Sequence, residues 1–543
     1  MVFARRSTTL LAAIIASCAM VLSLTACTSD NKTVVDGQTT VTSNSAGGVA
    51  VFTPSDGITL NQQTPLNKWA KLVPDLAKAL ADAGFKKGDI DHTTSDSLAK
   101  QSRAIQDFVV DHLSNNTTDD SGIAIAPDNM TLLVAPVVEA DASTRQYGDY
   151  VSQNLSTNDV TDGEATSDGE SSEDDSSKDD SSNTESDSTV SDEQAQAVDR
   201  LVSSLKLAKE SGMHVVLLGN SIEGYKPDAF VKFSDAQTIG KLQAEKMVSK
   251  LKLDKASKDN PKYIEVLLPY TAVDEKGNAN DSTFAQEAFR GIWQVLGSYY
   301  QKGVVESPSG TLDGKSTEND WQAVAYDAAK EGSTAKVLDK RLAKTDGQST
   351  LTRIDGIITM NDYIASEVVK ELDDLGYTGS AADINPQITI SGIVGNITGK
   401  KDLSRDAVPD PIKSPENDNA NDSSSSDDDA DEDTSASDKD RDSQWPLVTG
   451  YGAYVSNIPS IVNGKQWMTG MEDRQTIATD IAQACAKLNK DEALNSMPSI
   501  RNSEVGGVKK IPTISEPLLA VSASNLKSAL IDPGYISLAD AGL

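Results

Sequence analysis

Apolar segments of two lengths alternate along most of this chain. Short runs rich in β-branched residues include Thr131–Ala135, His214–Leu218 and Gly356–Met360. Longer segments between such runs carry apolar residues at helical spacing, as in Leu72–Ala83 and Ile239–Leu251. This alternation favours parallel β-sheets covered by helices, because consecutive parallel strands need a long crossover connection, usually a helix. The alternative is a mixed α+β fold.

Two acidic, polar segments interrupt this pattern. Asp159–Glu193 contains fourteen acidic residues and one basic residue, and Glu416–Asp442 contains twelve and two. Their net charges of −13 and −10 account for −23 of the formal charge of −33. We predict disordered surface insertions over residues 156–194 and 414–444, because so few apolar groups cannot offset the entropy of ordering. They would act as solvating spacers or bind Ca²⁺. The acidic balance argues against a nucleic-acid partner.

The N-terminus has the pattern of an export signal. Arg5 and Arg6 precede the apolar run Leu10–Leu24, which is too short for a confident membrane span. The following Leu24–Cys27 resembles the bacterial lipobox, in which the cysteine is acylated. This resemblance implies a signal peptide over residues 1–26 and lipidation at Cys27. It also implies a tether over residues 27–50 and a place on the outer face of the cell membrane. The alternative is a plain secretory signal.

Few residues suit catalysis. The three histidines, His92, His112 and His214, have no metal-ligand spacing, and no nucleophile elbow occurs. After the signal segment, the only cysteine besides Cys27 is Cys485. It lies in a helical pattern, in which a cysteine is typically a small buried apolar residue. We therefore expect a protein that is not an enzyme and needs no cofactor or metal.

A series of segments carries a family pattern in a fixed order. They are Ala208–Leu218, Asp228–Glu245, Thr359–Ala365, Val448–Arg474 and Ile511–Tyr535. In that order they resemble the type I periplasmic binding proteins, in particular the branch that binds xylose, glucose, galactose and arabinose. The resemblance implies an α/β fold with two doubly wound, Rossmann-like lobes, a hinge of three crossing segments and a ligand in the cleft between the lobes.

The same resemblance implies lobe boundaries. Residues 51–228 and 457–500 would form the N-terminal lobe, and residues 229–456 and 501–543 the C-terminal lobe. The segment Gln387–Val394 has the pattern of a strand for which the family has no place. It would be an added edge strand, or part of a larger excursion around the second insertion.

In the N-terminal lobe, the resemblance implies three ligand contacts. Trp69 would face the sugar ring, or else be a core residue. Asn220 stands where the family commonly has Asp-Arg, so the charged side chains of that pair are missing here. Asp235 would accept hydrogen bonds from two hydroxyl groups or cap the helix that begins near Thr238.

The C-terminal lobe carries the element most similar to the family, Asn361–Asp362, which would bind hydroxyl groups or cap the next helix. Tyr451 stands beside a position where the family has an aspartate and would border the cleft. Trp321 or Tyr326 would supply a second stacking surface.

The function implied is capture of a sugar, or of a sugar-like polar solute, and delivery to the permease and ATPase subunits of an ABC importer. The departures at Asn220 and Tyr451 also fit a larger, altered or non-sugar ligand. A receptor lipoprotein that signals through a membrane partner is a further alternative, since one fold serves both uses.

Overall fold

The computed structural model describes residues 46–55, 65–115, 125–138, 145–150, 153–156, 185–273, 280–328, 330–343, 351–381 and 444–543. All of them belong to one compact unit that begins at Ser45. The predictions for Cys27, the tether up to residue 45, the strand Gln387–Val394 and most of both insertions lie outside the described residues.

The described strands and helices alternate along the chain. The strands are β1 (Gly48–Pro54), β2 (Ile90–Ser95), β3 (Met130–Val134), β4 (Asn154–Leu155), β5 (His214–Leu218), β6 (Ser221–Ile222), β7 (Ala229–Lys232), β8 (Lys262–Val266), β9 (Leu268–Pro269), β10 (Val305–Glu306), β11 (Ala325–Tyr326), β12 (Gly356–Ile358), β13 (Leu447–Val448), β14 (Met468–Met471), β15 (Ile500–Val505), β16 (Val508–Ser515) and β17 (Leu519–Ser522). The helices are α1 (Trp69–Asp82), α2 (Leu98–Asn115), α3 (Glu185–Glu210), α4 (Ala236–Leu251), α5 (Thr283–Lys302), α6 (Trp321–Val324), α7 (Ser333–Arg341), α8 (Asp362–Leu375), α9 (Ile458–Val462) and α10 (Arg474–Leu488).

The first lobe is built on a seven-stranded sheet in the order β15-β16-β7-β5-β3-β1-β2. All neighbouring strands are parallel except β15 and β16. Strands such as β3 and β5 are almost wholly buried, as expected when helices cover both faces of a sheet. On one face, α1 buries Leu72, Leu76 and Leu80 and packs beside α10; α2 and α3 pack together over the other core cluster.

The second lobe contains a parallel sheet in the order β10-β8-β12-β13 and a short parallel pair, β11 and β9. Helix α4 packs along α5, and α7 along α8. Because these strands run in one direction, their carboxyl ends lie at a common edge. Loops from this edge follow β9, β11, β12 and β13.

Among the described residues, three short segments cross between the lobes. They are 233–235, between β7 and α4; 472–473, between β14 and α10; and 516–518, between β16 and β17. Two α/β lobes with mainly parallel sheets and three crossings confirm the predicted fold class, and the α+β alternative is wrong.

The predicted lobe boundaries need correction at the crossings. Strand β7 and residues 501–515 were assigned to the second lobe, but β7, β15 and β16 are hydrogen-bonded into the first sheet. Residues 457–471 were assigned to the first lobe, yet β14 pairs with β17, and Gly470 bridges Tyr451, which follows β13. The sequence pattern shows strands and helices, but only long-range hydrogen bonds decide which sheet a strand joins.

The predicted apolar runs at Thr131–Ala135, His214–Leu218 and Gly356–Met360 overlap β3, β5 and β12, and the two predicted helical patterns overlap α1 and α4. Helix α3 differs from the prediction, because it begins at Glu185, within the segment 156–194 predicted to be disordered. Acidic residues such as Glu185 and Asp187 suit a helix N-terminus, and the packed turns around Leu201 and Leu205 support its propagation. Within the described ranges, no helix is both long and apolar enough to cross a membrane.

Candidate functional site

Trp69 is the first residue of α1, and its side chain is 3% exposed. Its ring packs edge-on against Tyr150, with ring centroids 5.1 Å apart, and against Phe233 at 5.7 Å. Its backbone N–H donates to Asp149 Oδ2 at 3.1 Å. Trp69 therefore packs as a core residue in this structure, and its predicted ligand contact stays a prediction.

Asn220 follows β5 and is also buried. Its Nδ2 donates to the carbonyl of Pro136 at 2.9 Å, and its Oδ1 accepts from the backbone N–H of Gln153 at 3.0 Å. Both halves of the amide are thus used to hold two neighbouring loops of the first lobe. The predicted ligand contact of Asn220 stays a prediction.

Asp235 caps α4, which was the alternative to its ligand role. Its Oδ1 accepts from the backbone N–H of Thr238 at 2.7 Å, and its other oxygen lies 2.8 Å from Lys232 Nζ. A β-region backbone and a side chain bonded three residues ahead define an N-cap. Asp235 therefore fixes the start of α4 at the first crossing segment.

Asn361 and Asp362 follow β12 at the carboxyl edge of the second sheet, and both are fully buried. Asn361 Oδ1 caps α8 by accepting from the backbone N–H of Ile364 at 2.9 Å. The cap thus falls on Asn361 and not on Asp362. The remaining donor, Asn361 Nδ2, reaches Gln146 Oε1 of the first lobe at 3.1 Å.

The carboxylate of Asp362 organises the return segment that follows β13. It accepts from Gln466 Nε2 at 2.7 Å, Thr469 Oγ1 at 2.9 Å and the backbone N–H of Tyr454 at 2.9 Å. Burial raises the pKa of Asp362 to about 6, although these hydrogen bonds oppose the increase. With its oxygens committed to protein donors, Asp362 acts here as a positioning group and contacts no open space.

Tyr451 is buried where two crossing segments meet. Its hydroxyl contacts Ser234 of the first crossing and Glu472 of the second. Burial raises the pKa of Glu472 to about 7, against opposing hydrogen bonds from Ser234. Tyr451 thus joins the two crossing segments, and its predicted place at the border of a ligand cleft stays a prediction. Sequence reasoning missed Glu472, whose only signal was an acidic residue directly after the segment Met468–Met471 and just before the Asp473 cap.

Trp321 and Tyr326 both line an open cavity of about 290 Å³, and the stacking surface predicted for one of them stays a prediction. The cavity lies at the carboxyl ends of β9 and β11. Its walls are Tyr270, Thr271, Ala272, Val273, Trp321, Gln322, Ala325, Tyr326 and Asp327. This volume of about 290 Å³ lies just below the range of about 300–1,000 Å³ for small-molecule sites.

The polar wall of this cavity is held by local hydrogen bonds. Thr271 Oγ1 donates to Asp327 Oδ1 at 3.1 Å, and Asn280 Nδ2 donates to the carbonyl of Thr271 at 2.9 Å. Trp321 meets Tyr270 edge-on at 5.1 Å. Sequence reasoning missed Tyr270, Gln322 and Asp327. The signal that could have found Tyr270 and Asp327 is their position directly after short strands. The signal for Gln322 is its position next to Trp321.

No group of three or more His, Cys, Asp or Glu residues suited to a metal ion occurs in the part of the chain that the structure describes. Cys485 is buried, as predicted, which raises the pKa of its thiol.

No protein-family model matches this chain, and no curated protein matches it. Solved structures do. One is an ABC transporter solute-binding protein from Clostridium phytofermentans with bound β-D-glucose, at 17% identity and a TM-score of 0.44, covering 91% of this chain and 99% of that one. Another is a carbohydrate transporter solute-binding protein from Chloroflexus aurantiacus in complex with D-glucose, with 18% identity and a TM-score of 0.43. The match covers 92% of this chain and 98% of that one. A third is a periplasmic ribose ABC transporter from Conexibacter woesei, with 13% identity and a TM-score of 0.42. The match covers 90% of this chain and 96% of that one. Many of the structural neighbours of this chain are periplasmic sugar-binding proteins of ABC transporters.

Proposed function

We propose that this protein is a lipid-anchored, extracytoplasmic solute-binding protein that captures a sugar or sugar-like polar solute and delivers it to an ABC importer. The observation that carries the proposal is the cavity beside Trp321 and Tyr326. It combines aromatic rings with hydroxyl, amide and carboxylate groups at the carboxyl edge of a parallel sheet, where ligands of open α/β sheets bind.

The chemistry of this cavity suits a polyol. The rings of Tyr270 and Trp321 offer apolar faces for the C–H groups of a sugar. Gln322 can donate and accept at once, and the Asp327 carboxylate can accept from two hydroxyl groups. We assign ligand contact to these residues, with Tyr326 completing the wall. Trp69, Asn361 and Asp362 do not line this cavity. Asp362 would be a positioning residue, and Trp69 and Asn361 would meet the ligand only in a conformation other than this one.

Closure of the two lobes and the lipid anchor would serve delivery of the captured solute to the importer. A ligand that contacts both lobes better when they are close shifts the balance toward the closed state, which a permease can recognise. Acylation at Cys27 would keep the protein beside that permease on the outer face of the membrane.

A thermal-shift screen tests the proposal, with D-glucose, D-xylose, D-ribose, L-arabinose and maltose as probes. A sugar present at 100 times its dissociation constant should stabilise the fold by about 2.7 kcal/mol. Gln322→Ala should reduce the shift, whereas Gln301→Ala, an exposed glutamine at the end of α5, should leave it unchanged. A sugar whose shift is equal in both variants would place the site elsewhere, and no shift with any sugar would count against the function.

A further inference from the structure

Residues Arg145–Tyr150, which we call the bridging segment, contact both lobes. The segment lies between Trp69 of the first lobe and Asn361 of the second, the two residues that sequence reasoning placed on opposite walls of a ligand cleft. What fills the space between them in this structure is the protein's own chain.

One end of the bridging segment is fixed to the first lobe. The backbone N–H of Asp149 donates to the carbonyl of Asn67 at 2.8 Å, and its carboxylate accepts from Lys68 Nζ at 2.8 Å. Tyr150 is buried between Trp69 and Phe233, with the Phe233 ring stacked at 4.8 Å.

The other end enters the second lobe. Gln146 Oε1 accepts from Asn361 Nδ2 at 3.1 Å, and the Gln146 carbonyl accepts from the Tyr454 hydroxyl at 2.6 Å. Tyr147 is 1% exposed and belongs to the second-lobe core cluster, with its ring 4.7 Å from that of Phe284. Burial of an aromatic ring and two hydrogen bonds together favour the state in which the lobes are close.

We propose that the bridging segment is an intramolecular latch: it holds the two lobes together without a ligand, and a solute reaches Trp69 and Asn361 only after Gln146 and Tyr147 have left. The first half concerns the protein alone. The second half rests on the proposed function, since it assigns regulation to the same cleft. A latch that must be displaced lowers the apparent affinity for a ligand in proportion to the population of the latched state.

Hydrogen–deuterium exchange on the full chain tests the first half with two variants that release opposite ends. The double variant Gln146→Ala/Tyr147→Ala removes the second-lobe contacts. Gly148→Ala acts on the first-lobe end, because Gly148 has a φ of +97° and a Cβ there would lie 2.6 Å from the Asn67 carbonyl. Each should speed exchange about tenfold or more in residues 66–72 and 451–457, while β3 and β12 stay protected.

Tyr300→Ala is the matched control, since Tyr300 is an equally buried tyrosine of the second-lobe core. Its hydroxyl donates to the carbonyl of Ile264, and its ring stacks on Trp293. The control variant should destabilise the second lobe without speeding exchange in residues 66–72. The latch is refuted if the bridging-segment variants leave both reporters protected, or raise exchange in the same pattern as Tyr300→Ala. It is also refuted if both variants fail to fold, because a latch is dispensable for folding of the lobes.

Titration of the five sugars of the thermal-shift panel into the wild type and the double variant tests the second half. A sugar that binds should bind the double variant several-fold more tightly, and equal or weaker binding would contradict displacement. If no sugar binds either protein, the proposed function fails, and with it the second half, while the exchange result still decides whether the lobes are latched.

Discussion

Two carboxylates at the junction of the lobes, Asp362 and Glu472, are completely buried and are held mainly by neutral donors. Asp362 accepts from an amide, a hydroxyl and a backbone N–H, and Glu472 accepts from Ser234 and Tyr451. Hydrogen bonds of this kind lower a carboxyl pKa, but desolvation dominates at both residues and raises it. The junction therefore binds protons more tightly in the folded chain than in the unfolded one.

A pH dependence of stability follows from Glu472. Between its ordinary value of 4.5 and its folded pKa of about 7, the folded chain keeps the proton that the unfolded chain has lost. The free energy of unfolding should therefore fall as pH rises through this window, by at most about 1.4 kcal/mol per pH unit. Glu472→Gln should flatten the fall, measured as urea midpoints at pH 5, 6, 7 and 8. An unchanged slope in the variant would contradict a buried, titrating Glu472.

Asp362→Ala should unfold more easily, whether or not a ligand is present. It leaves the Tyr454 N–H without its acceptor, and an unsatisfied buried donor costs about 1–3 kcal/mol. It also removes the shorter of the two hydrogen bonds that Gln466 Nε2 and Thr469 Oγ1 each donate. We expect a loss of roughly 3 kcal/mol in denaturant unfolding, and a smaller loss for Asp362→Asn, which keeps one acceptor. Normal stability of Asp362→Ala together with lost sugar binding would instead restore the direct ligand role.

Helices α4 and α5 approach each other through glycines. A Cβ at Gly240 would lie 2.2 Å from the Ala288 carbonyl, and one at Gly291 would lie 2.0 Å from the Gln237 carbonyl. The backbones of the two helices are therefore in direct contact at these points. This close packing fixes the position of α5, whose first turn follows the loop that shapes the cavity beside Trp321.

Gly291→Ala should consequently destabilise the second lobe by about 3 kcal/mol, at the upper end of overpacking effects. In an exposed helix the change from glycine to alanine stabilises the fold by about 1 kcal/mol. A loss of stability in Gly291→Ala would therefore identify overpacking between α4 and α5 as the cause. Ser298→Ala, at an exposed position of α5, is the control and should have little effect on the melting temperature. A neutral or stabilising Gly291→Ala would show that α4 and α5 lie further apart.

Local pattern was sufficient for the elements but not for the site. Strand β5 and the C-terminal boundary of α8 could be predicted from apolar runs and Gly376. The contact between Gln146 and Asn361 joins residues 215 positions apart, and that between Ser234 and Glu472 joins residues 238 apart. No periodicity encodes such pairs. The sequence therefore singled out Trp69 and Tyr451, but it could not show which residues contact them in the folded chain.

The molecule as a whole is described by two lobes, three crossings and a latch, with a lipid anchor proposed at the N-terminus. Cys27→Ser should release the protein from membranes or leave its precursor unprocessed, because acylation needs the thiol. Fractionation of cells followed by mass spectrometry of the N-terminus measures both outcomes. A processed Cys27→Ser protein that stays on the membrane would refute the anchor.

Capture of a sugar is the central claim, and isothermal titration calorimetry tests it most directly. The sugar with the largest thermal shift would be titrated into the wild type, Trp321→Ala and Trp293→Phe. Trp293 is a core tryptophan of α5 that stacks on Phe289 and does not line the cavity. We predict saturable binding to the wild type and Trp293→Phe, and affinity at least about tenfold weaker for Trp321→Ala, as for loss of a stacked contact. Absence of binding to the wild type, or equal affinity in all three proteins, would contradict the account.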